Sequence, residues 1–372
     1  MTDKLKVAVL FGGRSGEHAV SRMSARSVLA ALDANKYDVI EIGITHEGIW
    51  LAGERVLDAF VAEKLDHLTP VTLVPDPNRN GLYQIKSTPH GEQFEHFTDV
   101  DVYFPILHGT FGEDGTLQGL FEMANVAYVG AGVLGSSVGM DKAVFKAVMR
   151  AHHIPVVDEV LSLRSDLHKN MDAILDRVEA SLAYPVFVKP VNMGSSVGVS
   201  KCYSRADLLE GLMDAAQFDR RILIERGINA REIEISVLGN DQPRASLPGE
   251  IRPEADFYSY DAKYHDDRSQ AFIPADIPAG TAEMMRSTAV RAYQVIDCAG
   301  MARVDFLLDK DSGEFYLNEV NTLPGFTQIS MYPKLWEASG MSYADICDRL
   351  IELAVERRAE RDQTQWRYEG ER

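Results

Sequence analysis

Arg303-Val304-Asp305-Phe306-Leu307-Leu308 runs into the polar turn Asp309-Lys310-Asp311-Ser312-Gly313, and Phe315-Tyr316-Leu317-Asn318-Glu319-Val320-Asn321-Thr322-Leu323-Pro324-Gly325 follows. Two short apolar runs around a polar glycine turn read as a β-hairpin. Each strand nevertheless carries acid or amide groups where core side chains are expected. Side chains two apart on a strand share a face, so Glu319 and Asn321 point the same way and Asp305 can meet them from the partner strand. Three oxygen donors without Cys or His suit a hard cation such as Mg²⁺, which keeps waters and bridges phosphates. Arg303 beside that cation points to phosphoryl or acyl-phosphate chemistry.

Outward from the hairpin, residues 281–298 and 342–357 have helical spacing, and the charged tail from Glu356 reads as solvated or frayed. Strands are expected at 223–225 and 232–238, with a polar loop at 252–272. The middle of the chain alternates an amphipathic helix (141–152), a strand (156–163), a helix (171–182), two strands (186–189 and 197–201) and a helix (206–216). That is a small α+β module with paired strands. Residues 6–13, 39–44, 101–107 and 126–129 read as strands, with helices at 21–32 and 117–124. Strand–helix alternation of this kind predicts an α/β domain with a parallel sheet, whose ligands gather at the carboxyl ends of its strands. Glu17 and His108 both follow strand ends, so one crevice can hold both.

Bulk properties bound the function. A chain of 372 residues exceeds one ordinary core, so two or three domains are expected. A net charge of −18 argues against a nucleic-acid partner, which demands a basic footprint. It leaves room for a nucleotide substrate, because a few lysines and a metal reverse the field of one cleft. Cys202, Cys298 and Cys347 form no metal or redox motif and read as reduced thiols of a cytosolic protein. The apolar run at 7–11 is too short for a signal peptide or membrane span and reads as a buried strand.

Three further stretches carry chemistry. His108-Gly109-Thr110-Phe111-Gly112-Glu113-Asp114-Gly115 places polar groups on a tight glycine-rich loop after a strand, the position where catalytic groups concentrate. Lys189 closes an apolar strand and opens the loop Gly194-Ser195-Ser196, whose N–H groups and hydroxyls suit phosphates although it is not a P-loop. Tyr258-Ser259-Tyr260-Asp261-Ala262-Lys263-Tyr264 reads as an active-site flap. Gly130-Ala131-Gly132-Val133-Leu134-Gly135 fits the dinucleotide pattern G-x-G-x-x-G, but its preceding strand is short, and the segment reads instead as a flexible joint. His152-His153 has no partner at metal spacing and reads as surface.

Together these stretches resemble the D-alanine–D-alanine ligase family of the ATP-grasp superfamily, in order and over nearly the whole chain. The resemblance implies a mixed α/β and α+β fold of three domains. These are an N-terminal Rossmann-like domain (1–130), a small central ATP-grasp domain (131–223) and a C-terminal ATP-grasp domain (224–372) holding the metals. ATP would lie between the last two, with Glu225, Arg226, Ile228 and Glu232 at adenine and ribose and Lys142, Lys189 and Lys263 at the phosphates. Asp305, Glu319 and Asn321 would bind two Mg²⁺ (or Mn²⁺), and a monovalent cation is a further candidate cofactor. Glu17 would take the ammonium of the first D-alanine, with His108 beside it. Arg303 and the N–H of Gly325 would stabilise the oxyanion. Ser330 and Lys263 would hold the second carboxylate, and Ser195 and Tyr264 would order the flap and help remove the amine proton.

The implied product is D-alanyl-D-alanine for peptidoglycan precursors, made by a cytoplasmic homodimer; the alternatives are D-serine or D-lactate as second substrate. Retention of Lys263-Tyr264 favours an amine nucleophile. Two positions depart from the family pattern: Ala19 replaces a second Glu after Glu17, and Ser259 replaces an Asp of the flap. A regulatory nucleotide binder without turnover and a dinucleotide-dependent oxidoreductase are the competing classes.

Overall fold

The computed structural model describes residues 4–252 and 270–366. The expected flap, with Tyr258, Ser259, Lys263 and Tyr264, lies outside the described residues, as does most of the loop at 252–272.

The strand Leu5–Gly12 is the axis of the first sheet. Val7, Ala8, Val9, Leu10 and Phe11 are all fully buried, as a central strand covered on both faces requires. It pairs in parallel with Tyr37–Ile44 on one side and Val102–Ile106 on the other, and Ala127–Tyr128 extends the parallel part. Beyond Tyr37–Ile44 the sheet continues through four antiparallel strands, Trp50–Ala52, Thr69–Leu73, Leu82–Thr88 and Gly91–Thr98, to a total of eight. Sequence patterning placed no strand there. Gly91–Thr98 is mostly exposed and Trp50–Ala52 has three residues, so neither shows a long apolar alternation.

The second sheet has four antiparallel strands in the order Ser200–Cys202, Val186–Pro190, Arg221–Arg226, Glu159–Leu163. Helices Met171–Ser181 and Arg205–Phe218 cover one face, placing Ile174, Leu175, Leu208 and Leu212 against Val186 and Val188. The period-two alternation then leaves Phe187 and Lys189 on the opposite face. A boundary at 223 falls inside the strand Arg221–Arg226; the chain changes sheet at 227–229.

The third sheet runs Gln270–Phe272, Gly249–Arg252, Ala230–Leu238, Met301–Asp309, Phe315–Asn321 and carries the hairpin. Helix Ala279–Val295 covers its inner face, burying Met285, Ala289 and Tyr293 against Ile233, Ile235, Val304 and Phe306. Arg303, Asp305, Glu319 and Asn321 alternate with those core residues and face away from them.

Two segments differ from expectation. Residues after Gly132 form the helix Val133–Met140 rather than a flexible joint. A Cβ on Gly135 would sit 3.1 Å from the Asp297 carbonyl and one on Gly139 3.1 Å from the Val320 carbonyl, so these glycines serve close packing, Gly135 on the turn after helix Ala279–Val295 and Gly139 on the third sheet. The first part of the tail is anchored: helix Tyr343–Arg361 carries on past Glu356, where Arg357 binds the Gly130 carbonyl and Arg361 binds Glu122 and, at 3.0 Å, Asn125, whereas residues 362–366 are exposed as expected. Its buried face (Ile346, Cys347, Leu350, Ile351) shares one core with Val7 and Phe104 of the first sheet. Among the described residues no helix is long and apolar enough to cross a membrane.

Candidate active site

One cleft of about 1230 Å³ opens between the second and third sheets, closed at one end by loops of the first. Every candidate site position inside the described residues lines it, from Glu17 to Ser330. Lys263 and Tyr264 lie outside the described residues.

At the closed end, Glu17 precedes helix His18–Ala31 and is buried. The Ser195 hydroxyl donates to Glu17 Oε1, so the glycine–serine loop of the second sheet reaches across to the first domain. Ser195 and Ser196 both have positive φ (50° and 59°), a conformation that non-glycine residues rarely adopt and that here presents the hydroxyl to Glu17. His108 is buried, with Nδ1 2.9 Å from the Leu323 carbonyl and Nε2 3.0 Å from Ser24 Oγ. The carbonyl requires a proton on Nδ1, so Nε2 accepts from the Ser24 hydroxyl. Burial holds His108 below its ordinary pKa, consistent with this neutral tautomer. Nδ1 thus ties the N-terminal domain to the turn after the hairpin, and Ser24, which also accepts from Phe326 N at 3.2 Å, makes a second tie to the same turn. Glu113 stands in the same corner, its Oε1 accepting from Gly109 N at 2.9 Å. Burial, and then the neighbouring charge of Glu17, push its carboxyl up to about 8.

The lysines come from two elements. Lys142 opens helix Lys142–Ala151, capped by Asp141, which accepts from Val144 N at 2.9 Å. Its ammonium donates to the Met193 carbonyl at 2.7 Å, beside the glycine–serine loop, and burial lowers its pKa. Lys189 Nζ lies 2.5 Å from Glu225 Oε2, and Lys146 Nζ lies 2.7 Å from Glu225 Oε1. Burial opposes ionisation of Glu225, but Lys146 and Lys189 outweigh it and hold the carboxyl well below the usual range. The same carboxylate holds Lys189 above its ordinary value against the pull of burial.

On the floor, Asp305 pairs with Glu319 and Arg303 with Asn321 in the hairpin register. Asp305 is therefore directly opposite Glu319, and Asn321, two residues on, is opposite Arg303. Arg303 forms a fork on Asp305, Nε to Oδ1 at 2.7 Å and Nη2 to Oδ2 at 2.6 Å, and its Nε also lies 3.1 Å from Glu234. Burial works against the guanidinium charge, but Asp305 and Glu234 raise its pKa well above the ordinary value. Among the described residues no three His, Cys, Asp or Glu side chains gather as a metal site. Two carboxylates and an amide fit the sparse protein ligation Mg²⁺ accepts when water and phosphate fill its remaining positions. Asn321 Oδ1 already accepts from Leu323 N at 3.1 Å, which fixes its orientation. Ser330 Oγ accepts from Thr327 N at 3.0 Å, close to Gly325, so hydroxyl and backbone donors gather at this end. Arg226 lies over Tyr316, 5.5 Å from the ring centroid, and Ile228 sits where the chain passes between the two sheets.

Sequence reasoning passed over Glu113, Lys146 and Glu234. Glu113 lay inside the quoted glycine loop, but its burial is invisible without the fold. Lys146 had a readable signal: it falls on the helix face of Phe145 and Met149, where a solvated lysine does not belong. Glu234 sits opposite Asp305 in the strand register, a pairing no local pattern encodes.

Comparison with known proteins matches the family described as "D-ala D-ala ligase N-terminus" to residues 6–131 and "D-ala D-ala ligase C-terminus" to residues 148–352. A D-alanine–D-alanine ligase of Heliobacterium modesticaldum is 49% identical over 96% of both chains. One of Natranaerobius thermophilus is 45% identical over 96% of this chain and 97% of that one. Among solved structures, the VanG D-Ala:D-Ser ligase of Enterococcus faecalis aligns with TM-score 0.83 at 35% identity, covering 95% of this chain and all (100%) of that one. The D-alanine–D-alanine ligase of Coxiella burnetii aligns with TM-score 0.81 at 36% identity over 97% of each.

Proposed function

Because the chain belongs to the D-alanine–D-alanine ligase family, we propose that it joins two D-alanine molecules into D-alanyl-D-alanine with ATP, through a D-alanyl phosphate. A carboxylate resists amine attack because its charge repels the nucleophile and oxide leaves poorly. Transfer of the γ-phosphoryl group from ATP to a carboxylate oxygen, with ADP leaving, removes both obstacles. Attack by the second amine then expels phosphate, and the ammonium proton is lost.

The observation that carries this reading is the shared cleft: Lys189 on the second sheet and Lys142 at the start of a helix line it together with an arginine-flanked carboxylate pair on the third sheet. Lys142 and Lys189 supply positive charge for the phosphates. Glu225, Arg226, Ile228 and Glu232 line the end where adenine and ribose would sit. Asp305, Glu319 and Asn321 would hold two Mg²⁺ (or Mn²⁺), which when bound neutralise charge on the transferred phosphoryl group. Glu17, fixed by Ser195, receives the first ammonium. Arg303 and Gly325 N–H stabilise the oxyanion, and Ser330 with Lys263 holds the second carboxylate. Tyr264 and Ser195 order the closed site, which excludes water from the acyl phosphate. A cytoplasmic homodimer, and a monovalent cation as activator, belong to the same proposal and follow the family.

The test is phosphate release by the purified chain given ATP, Mg²⁺ and D-alanine, with the product identified by mass spectrometry. Release that depends on all three and yields D-alanyl-D-alanine supports the reading. A product containing D-serine or D-lactate when these are supplied beside D-alanine moves the second substrate, and no release with any of them refutes ligase activity.

A further inference from the structure

Glu225 is held by two lysines that differ in one respect. Lys189, whose side chain is 17% exposed, lines the cleft; Lys146, 1% exposed, does not and approaches from behind. Each lies within ion-pair distance of a different oxygen, Lys146 2.7 Å from Oε1 and Lys189 2.5 Å from Oε2. Lys146 is placed there by helical geometry: it lies one turn after Lys142, on the face that also buries Phe145 and Met149. One lysine is enough to neutralise one carboxylate, so the second needs a reason. A lysine that serves phosphate must leave its resting partner or share it. If Lys189 were alone, its departure would strand a buried carboxylate, which is strongly unfavourable.

We propose that Lys146 is a positioning residue, the standing counter-ion of Glu225 that leaves Lys189 free to turn to the nucleotide phosphates. This rests on the ligase reading above, in which Lys189 serves ATP. Lys146 touches neither nucleotide nor amino acid; it acts through Glu225. Removing it makes Glu225 compete with ATP for Lys189, and D-alanine binding is untouched.

The experiment uses the full chain with Lys146→Met, Glu225→Gln and the double variant. ATP affinity is measured by calorimetry without D-alanine, and KM values by phosphate release. Lys146→Met is expected to weaken ATP binding by about tenfold or more and to raise KM for ATP in parallel, with KM for D-alanine unchanged. In the Glu225→Gln background the same substitution has little effect, because Lys189 is no longer captured; this non-additivity is the signature of the proposed role. Should Lys146→Met fail to fold, Lys146→Gln is measured in its place with the same expectations. Wild-type ATP affinity in the position-146 variant, or an equal loss in both backgrounds, overturns the inference. Wild-type chain that does not bind ATP removes the ligase reading and this inference together, whereas wild-type binding beside an indifferent variant removes this inference alone.

Discussion

Glu113→Gln removes a titrating group from the closed end of the cleft and keeps its shape. The amide oxygen can still accept from Gly109 N, now 2.9 Å from Oε1. In the native chain burial, and then Glu17, raise the Glu113 carboxyl to about 8 from an ordinary 4.5. Between those values the unfolded chain has released a proton that the native chain still holds. Native stability therefore falls as pH rises through this window and levels off above it. At about 1.4 kcal/mol per pH unit the ceiling is about 5 kcal/mol, and relaxation around an ionised carboxylate leaves roughly half of that. Glutamine carries no such pH-dependent penalty. Relative to wild type, the variant should gain about 3 °C in melting temperature between about pH 5 and pH 8.5. Scanning calorimetry of both proteins in EDTA without substrates measures this. A difference that stays constant with pH, or that shrinks as pH rises, refutes the buried, proton-holding Glu113.

Three other outcomes are expected. Ser195→Ala removes the hydroxyl that fixes Glu17 and should lower kcat/KM for D-alanine about 10–100-fold, with the circular dichroism spectrum unchanged. Arg303→Lys keeps the charge but loses the fork on Asp305. Steady-state kinetics should show kcat reduced about 10²–10³-fold, and calorimetry should show ATP binding nearly unchanged. Arg361→Ala cuts the tie from the last helix to Glu122 and Asn125; the melting temperature should fall by about 2–6 °C while activity at room temperature persists.

The hairpin was the most legible part of the chain because its information is local. Alternation places Glu319 and Asn321 on one face whatever surrounds them, and the register pairs Asp305 directly with Glu319. The buried strand Leu5–Gly12 was legible for a related reason, since an uninterrupted apolar run has few other homes. The antiparallel strands between 50 and 98 were not, because short or exposed strands carry little periodic signal. The expectation of a solvated tail holds for the exposed residues 362–366 but not for Arg357 and Arg361, because charge alone does not reveal their carbonyl and carboxylate partners in the first domain, far away in sequence. Glu113, Lys146 and Glu234 escaped for the same reason. Their roles depend on Glu17, Glu225 and Arg303, which only the tertiary fold brings within reach.

The central claim is that the cleft activates a carboxylate by phosphorylating it. D-Alanine labelled with oxygen-18 at its carboxyl group tests this directly when incubated with the chain, ATP and Mg²⁺. The phosphate released in each turnover is expected to carry one labelled oxygen from the substrate carboxylate. Phosphate that forms with no label from D-alanine contradicts it.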